Sequence, residues 1–197
     1  MHKLIPNNAL RMGMAAGYGL AILLLAGCAS VWQPVPAELA REGWTFAPPS
    51  GWMRFSTPTY EMFSLDGPYL QYIFVQQRPL DQAFRYTRQT LDRRALPLEV
   101  AEVVLDNLRS DSQIGDFKLI ASQAASLDGH PGFKLLYTYR DQHGVAFRCL
   151  YYGAVVGTTY FNVRYTATDR HYYEKGLAAF ERMLRSLRVA ARPPVNA

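Results

Sequence analysis

The side chains that could do chemistry are a few histidines, one internal cysteine, a row of acids and a group of tyrosines and arginines. A zinc site needs several ligands converging on one point. His130 lies between Gly129 and Pro131, His143 lies in Asp141-Gln142-His143-Gly144, and His171 starts a helical pattern. Turn and cap positions account for all three, so neither a metal nor a cofactor is expected. Cys149 shares its strand face with Phe147 and Tyr151, which is the setting of a packed, inert thiol rather than a nucleophile. Glu99, Glu102 and Asp106 follow one another at helical spacing. That places them on a solvated outer face, whereas catalytic carboxylates must oppose each other across a cleft. The phosphate-cradling glycine loop, His-Glu-x-x-His, Cys-x-x-Cys and Gly-x-Ser-x-Gly are all missing from the sequence. The chain is therefore read as noncatalytic.

Binding chemistry is better represented. There are 13 tyrosines, and Tyr137, Tyr139, Tyr151, Tyr152, Tyr160 and Tyr165 are interleaved with Lys134, Arg140, Arg148 and Arg164. Tyr and Arg combine large contact area with directed hydrogen bonds, which suits interfaces. Aromatic residues also favour strands and pair across them. Tyr160, Asn162, Arg164 and Thr166 alternate with Phe161, Val163, Tyr165 and Ala167. The polar set either lines a groove or lies beneath a helix with hydrogen-bond partners. The candidate binding surface is Tyr160, Asn162, Arg164, Arg148 and Tyr152.

Strands and helices must position these groups. Short strands are expected at 44–46 and 52–55. A hairpin is expected from 60–65 and 69–77 around Asp66-Gly67-Pro68. Residues 80–91 have weak helical character. The stretch 97–109 is a clearer helix, opening on Pro97, with Leu98, Ala101, Leu105 and Leu108 on one face and Val104 widening it. Four strands follow at 117–126, 132–140, 145–156 and 159–168, joined by links so short that neighbours must be antiparallel. The strand at 145–156 is apolar on both faces and belongs in the centre. A last helix is expected over 170–188, capped by Thr168 or Asp169, with Tyr173, Leu177, Phe180, Leu184 and Leu187 inward. The whole is an α+β layered sandwich around a mainly antiparallel sheet.

Several segments together resemble a family. They are Gly51-Trp52 after the proline pair, the hairpin into Leu70-Gln71-Tyr72, and Asp128-Gly129-His130-Pro131-Gly132-Phe133 before the meander. The fourth is 160–167 followed by a helix with Phe180. In this pattern and order, the stretch from Trp44 to Arg188 resembles PsbP-like domains. The resemblance implies an α/β/α sandwich, and a role in binding a larger partner rather than in catalysis. No metal or partner residues of that family can be matched onto this chain.

The N-terminus reads as an address. Lys3 and Arg11 precede an uncharged run, residues 12–25, that is short for a membrane span. It ends in Leu25-Ala26-Gly27-Cys28, which resembles the lipobox of bacterial lipoproteins. That implies a diacylglyceryl thioether on Cys28 and cleavage before it, and two or more acyl chains suffice for stable anchoring. Ala29 in place of Asp resembles the outer-membrane class of lipoproteins. Residues 1–27 are thus a signal peptide and 28–43 a tether, stiffened by Pro34 and Pro36, with at most a helical turn at 37–41. Fully extended, the tether spans about 50 Å. Residues 44–189 form a single domain and 190–197 a tail.

Bulk composition agrees. The net charge is +5. Without Lys3 and Arg11, 19 of the 21 basic side chains face 16 acids, too even a balance for a nucleic-acid binder. With Cys28 acylated, Cys149 has no partner for an internal disulfide. The expected protein is a lipid-anchored envelope module, on the outer membrane facing the periplasm, that binds or assembles another protein. A lipid or glycan fragment bound between sheet and helix, by a binding protein or a hydrolase accessory, is the alternative. A third reading has arginines contacting peptidoglycan or anionic lipid.

Overall fold

The computed structural model describes residues 31–190. Cys28, the signal peptide and residues 191–197 lie outside them. The chain forms β1 (Gln33–Pro34), β2 (Leu39–Arg41), β3 (Trp44–Phe46), β4 (Met53–Ser56), β5 (Tyr60–Ser64) and β6 (Gln71–Pro79), then α1 (Pro97–Arg109). It continues through β7 (Gly115–Leu127), β8 (His130–Arg140), β9 (Ala146–Val156) and β10 (Thr159–Thr168) to α2 (Tyr172–Ser186) and β11 (Arg188–Val189).

Eight strands make one antiparallel sheet in the order β1-β4-β5-β6-β10-β9-β8-β7, and β11-β3-β2 make a second. The meander is dictated by its turns. Asp128 and Gly129 both take positive φ, 50° and 81°, the left-handed pair that reverses a twisted strand within two residues. The last meander strand, β10, then pairs along its length with β6, which joins the N-terminal hairpin to the meander. This is the expected α+β layered sandwich.

Alternation on the central strands builds two cores. On one face α1 packs over β7, β8 and β9. Val100, Ala101, Val104, Leu105 and Leu108 meet Phe133, Leu135, Tyr137, Cys149 and Tyr151 there. On the other, α2 and the small sheet bury Trp44, Phe46, Ile73, Val163, Tyr165, Phe180 and Met183. Pro97 opens α1, and the Glu99 carboxylate reaches back 2.7 Å to accept from the Leu96 N–H. Leu98, expected in the core, is 47% exposed. Val100 takes the inward position because the helix turns that side to β8.

Three further expectations are corrected. Residues 80–91 form no helix. Arg88 has φ 61°, Phe84 N–H donates to Gln89 O and Leu91 N–H to Leu80 O, so the segment closes on itself and buries Leu80, Phe84 and Leu91. The segment read as tether is incorporated from Gln33 onward, since β1 pairs with β4 and β2 with β3. Residues 39–41 are therefore a strand, not a helical turn. The last helix stops at Ser186 so that Arg188–Val189 can pair with β3, and Ala190 N–H donates to Gly43 O at 2.9 Å. Neither Thr168 nor Asp169 caps it. His171 precedes its first turn without a side-chain cap, and the Asp169 carboxylate pairs with Arg148 at 2.7 Å.

Candidate functional site

Register decides where the five candidate residues go. Tyr160, Asn162 and Arg164 stand opposite Val155, Gly153 and Tyr151 on β9 and opposite Arg78, Gln76 and Phe74 on β6. They share the α1 side of the sheet. Arg148 and Tyr152 stand opposite Ala167 and Val163, on the α2 side. The candidates therefore do not form one surface. Arg148 lies 5.0 Å over the Tyr173 ring and pairs with Asp169. Tyr152 packs against Phe180.

Tyr160 and Asn162 are also not exposed, at 0% and 3%, because the 80–91 loop and long neighbouring side chains close over them. The Tyr160 and Tyr151 hydroxyls bond at 2.8 Å, and Phe84 meets the Tyr160 ring edge-on at 6.4 Å. Asn162 Nδ2 donates to Gln76 Oε1 at 3.4 Å. Thr166 Oγ1 donates to Cys149 Sγ at 3.3 Å. Of the two openings read from sequence, burial with hydrogen-bond partners holds for Tyr160, Asn162 and Thr166.

Arg164 is different. It is half-buried, with its guanidinium carbon 4.4 Å over the Phe74 ring. Phe74 stacks on Tyr60 at 4.7 Å, and Tyr60 lies 6.1 Å from Phe55. An aromatic ladder thus crosses β6, β5 and β4 beside Arg164. A second row, Tyr137, Tyr139 and Phe147, runs across β8 and β9 at 6.2 and 5.3 Å. Arg78 lies 4.1 Å over Phe84 and donates to Gln82 O. Sequence reasoning missed Arg78, Phe74 and Tyr60. The alternation Tyr72, Phe74, Gln76, Arg78 against Ile73 and Val75 was the available signal.

Burial pushes the phenols of Tyr137 and Tyr160 well up and that of Tyr151 up to about 12. It raises the Cys149 thiol too, against the opposing pull of Thr166 and Tyr137. Cys149 is fully buried, which makes it a poor nucleophile. In a Cys28→Ser chain at pH 8, Cys149 should stay unreactive to Ellman's reagent for minutes and give one equivalent on unfolding in guanidinium. Prompt reaction of the folded chain would sink that reading.

Elsewhere the polar groups serve structure. Glu61 is fully buried on the α2 side and accepts from Arg54 at 2.7 and 2.9 Å, from Ser56 at 2.9 Å, and pairs with Arg41. His130 Nε2 lies 3.2 Å from Val189 O, and Asp106 pairs with Arg109. Among the described residues no three His, Cys, Asp or Glu side chains are gathered for a metal ion. A cleft of about 540 Å³ opens at the strand ends, lined by Pro58, Thr59, Arg78, Asp81, Arg93 and Thr159. It does not lie between the sheet and α2.

No family model matches the sequence, and no curated protein matches it. Solved structures do. The chain is similar to cyanobacterial PsbP from Synechocystis, with 16% identity over 83% of this chain and 98% of that one, at a TM-score of 0.56. It is similar to the Ran-binding protein Mog1p of Saccharomyces cerevisiae, with 10% identity over 77% and 94% and a TM-score of 0.53. A protein from Bacteroides thetaiotaomicron matches with 10% identity over 81% of this chain at 0.50, and the chain spans half its length. At these identities the likeness is one of fold, and the PsbP-like fold read from the sequence is the fold observed.

Proposed function

We propose that this protein is a noncatalytic binding module of the bacterial envelope, held on a membrane by acylated Cys28 and presenting the β4-β5-β6-β10 half of its sheet to a protein partner. The observation that carries this reading is that half-sheet. Outside the part covered by the 80–91 loop it carries half-buried Phe55, Tyr60 and Arg164 around buried Phe74, and α1 packs on β7, β8 and β9 instead. Aromatic and Arg side chains supply most of the energy at protein interfaces. A structure of the same fold is that of a Ran-binding protein, so the fold is compatible with gripping another protein. Leu25-Ala26-Gly27-Cys28 supplies the anchor, and Ala29 favours the outer membrane facing the periplasm.

Crosslinking in intact cells tests the reading, with a Cys28→Ser chain as the unlipidated control. One recurrent protein partner is expected with the anchored chain, and Cys28→Ser should leave the membrane fraction and lose that crosslink. An abundant anchored chain that yields no recurrent partner would overturn the assignment.

A further inference from the structure

Arg164 carries a charge that no carboxylate among the described residues answers. Its Nε is buried without an acceptor, and among the described residues no carboxylate lies within ion-pair distance of it. Burial works against its charge, while Tyr72, Tyr137, the Cys149 thiol and Tyr151 work in its favour and leave its pKa raised overall. Burial keeps Tyr137, Tyr151 and Cys149 protonated at neutral pH, so they cannot balance a cation. Arg78 repeats the pattern one end of the strand away. Its Nε is also buried without an acceptor, it too makes no ion pair among the described residues, and burial lowers its pKa. Both arginines act on the Tyr151–Tyr160 hydroxyl pair.

A half-buried cation without a counter-ion gives up part of its hydration on folding. Sequences that keep such a local conflict do so at functional sites. The complement that the described residues leave out is a negative charge. Planar guanidinium offers two parallel N–H donors, a match for a carboxylate. Beside Arg164, the half-buried Phe55 and Tyr60 rings, backed by buried Phe74, give flat rings something to stack on. The strip from β4 to β10 crosses three strand spacings, roughly 14 Å, which is a length for an extended chain rather than for one small anion.

We propose that this strip binds an extended segment of a partner protein carrying acidic and aromatic side chains, one carboxylate of which forks onto Arg164. The assignment rests on the binding-module reading and names the partner's chemistry.

The test uses the full-length chain in detergent micelles and a labelled short peptide alternating glutamate with phenylalanine, read by fluorescence anisotropy. The peptide should bind, and Arg164→Gln should weaken it about 10-fold or more. A peptide of alternating lysine and phenylalanine should not bind. Arg164→Met should lose binding and yet melt roughly 2–5 °C higher, since it removes an unbalanced charge. A purely structural arginine would give the opposite shift.

Unchanged binding by Arg164→Gln, equal binding of the lysine peptide, or a lower melting point for Arg164→Met would overturn the proposal. Competition by acetate or inorganic phosphate at comparable concentration would replace the segment with a free small anion. Arg164-dependent self-association would replace it with a second copy. The binding-module reading fails separately. If the cellular crosslink to one partner persists undiminished in Arg164→Gln, that reading stands and this assignment falls.

Discussion

Replacing Glu61 with alanine is expected to destabilise the fold by about 3 kcal/mol, because it strands two guanidinium groups around a carboxylate that is 0% exposed. Arg54 and Arg41 are 22% and 25% exposed, so water screens part of the loss and keeps the figure at the low end for a broken buried pair. The bond to Glu61 raises the Arg54 guanidinium above its ordinary pKa, which is the same coupling seen from the other partner. The triad ties β5 to β4 and, through Arg41, to the small sheet. Urea denaturation should show a lower midpoint with little change in slope. Arg54→Met added to Glu61→Ala should cost less than the sum of the single changes, since it removes one of the stranded charges. Strict additivity, or an unfolding free energy within about 0.3 kcal/mol of the parent, would show that the triad contributes little.

Gly176→Ala should also be destabilising, against the usual sign. Alanine in a helix is ordinarily better than glycine by about 0.5–1 kcal/mol. Here the added methyl would fall inside contact distance of the Tyr165 hydroxyl and 2.6 Å from Gln71 Oε1. The hydroxyl cannot easily yield. It donates toward Tyr172 O at 2.5 Å, with Tyr173 O at 3.1 Å and Gln71 Oε1 at 3.2 Å, and so fastens the first turn of α2 to the sheet. Overpacking costs about 1–3 kcal/mol, leaving a net loss of roughly 1 kcal/mol. Tyr165→Phe, itself destabilising by about 1–2 kcal/mol, makes room for the methyl. The double variant should therefore lie closer to Tyr165→Phe than to the sum. A higher thermal midpoint for Gly176→Ala alone would disprove the clash.

The meander was legible because its signals are local. Asp128-Gly129 and Gly157 stand where the chain reverses, and α1 begins and ends as Pro97 and its apolar spacing dictate. Residues 80–91 misled because Leu80, Phe84 and Leu91 have a spacing that a helix and a self-closing loop share. Only the positive φ at Arg88, which arginine does not announce, separates the two. Strands of two or three residues such as β1 and β2 carry no period, and their existence depends on partners distant in sequence.

The candidate site divided along the same line. Alternation within β10 correctly grouped Tyr160, Asn162 and Arg164, since that is a property of one strand. Adding Arg148 and Tyr152 required the phase of β9 against β10, and the pairing of Arg164 with Tyr151 sets that phase the other way. The charge imbalance at Arg164 was out of reach for a similar reason, because it depends on which acids fail to arrive.

A load applied to the N-terminal end would meet β1 first, and β1 holds only two residues against β4. It would peel away at small force, and β2, with three residues paired to β3, would resist next. Freeing residues 33–38 would release about 20 Å of extended chain while the stacked core around Phe180 stays whole. The entry to the domain thus behaves as a breakaway link, extending its reach under tension before any globular structure yields.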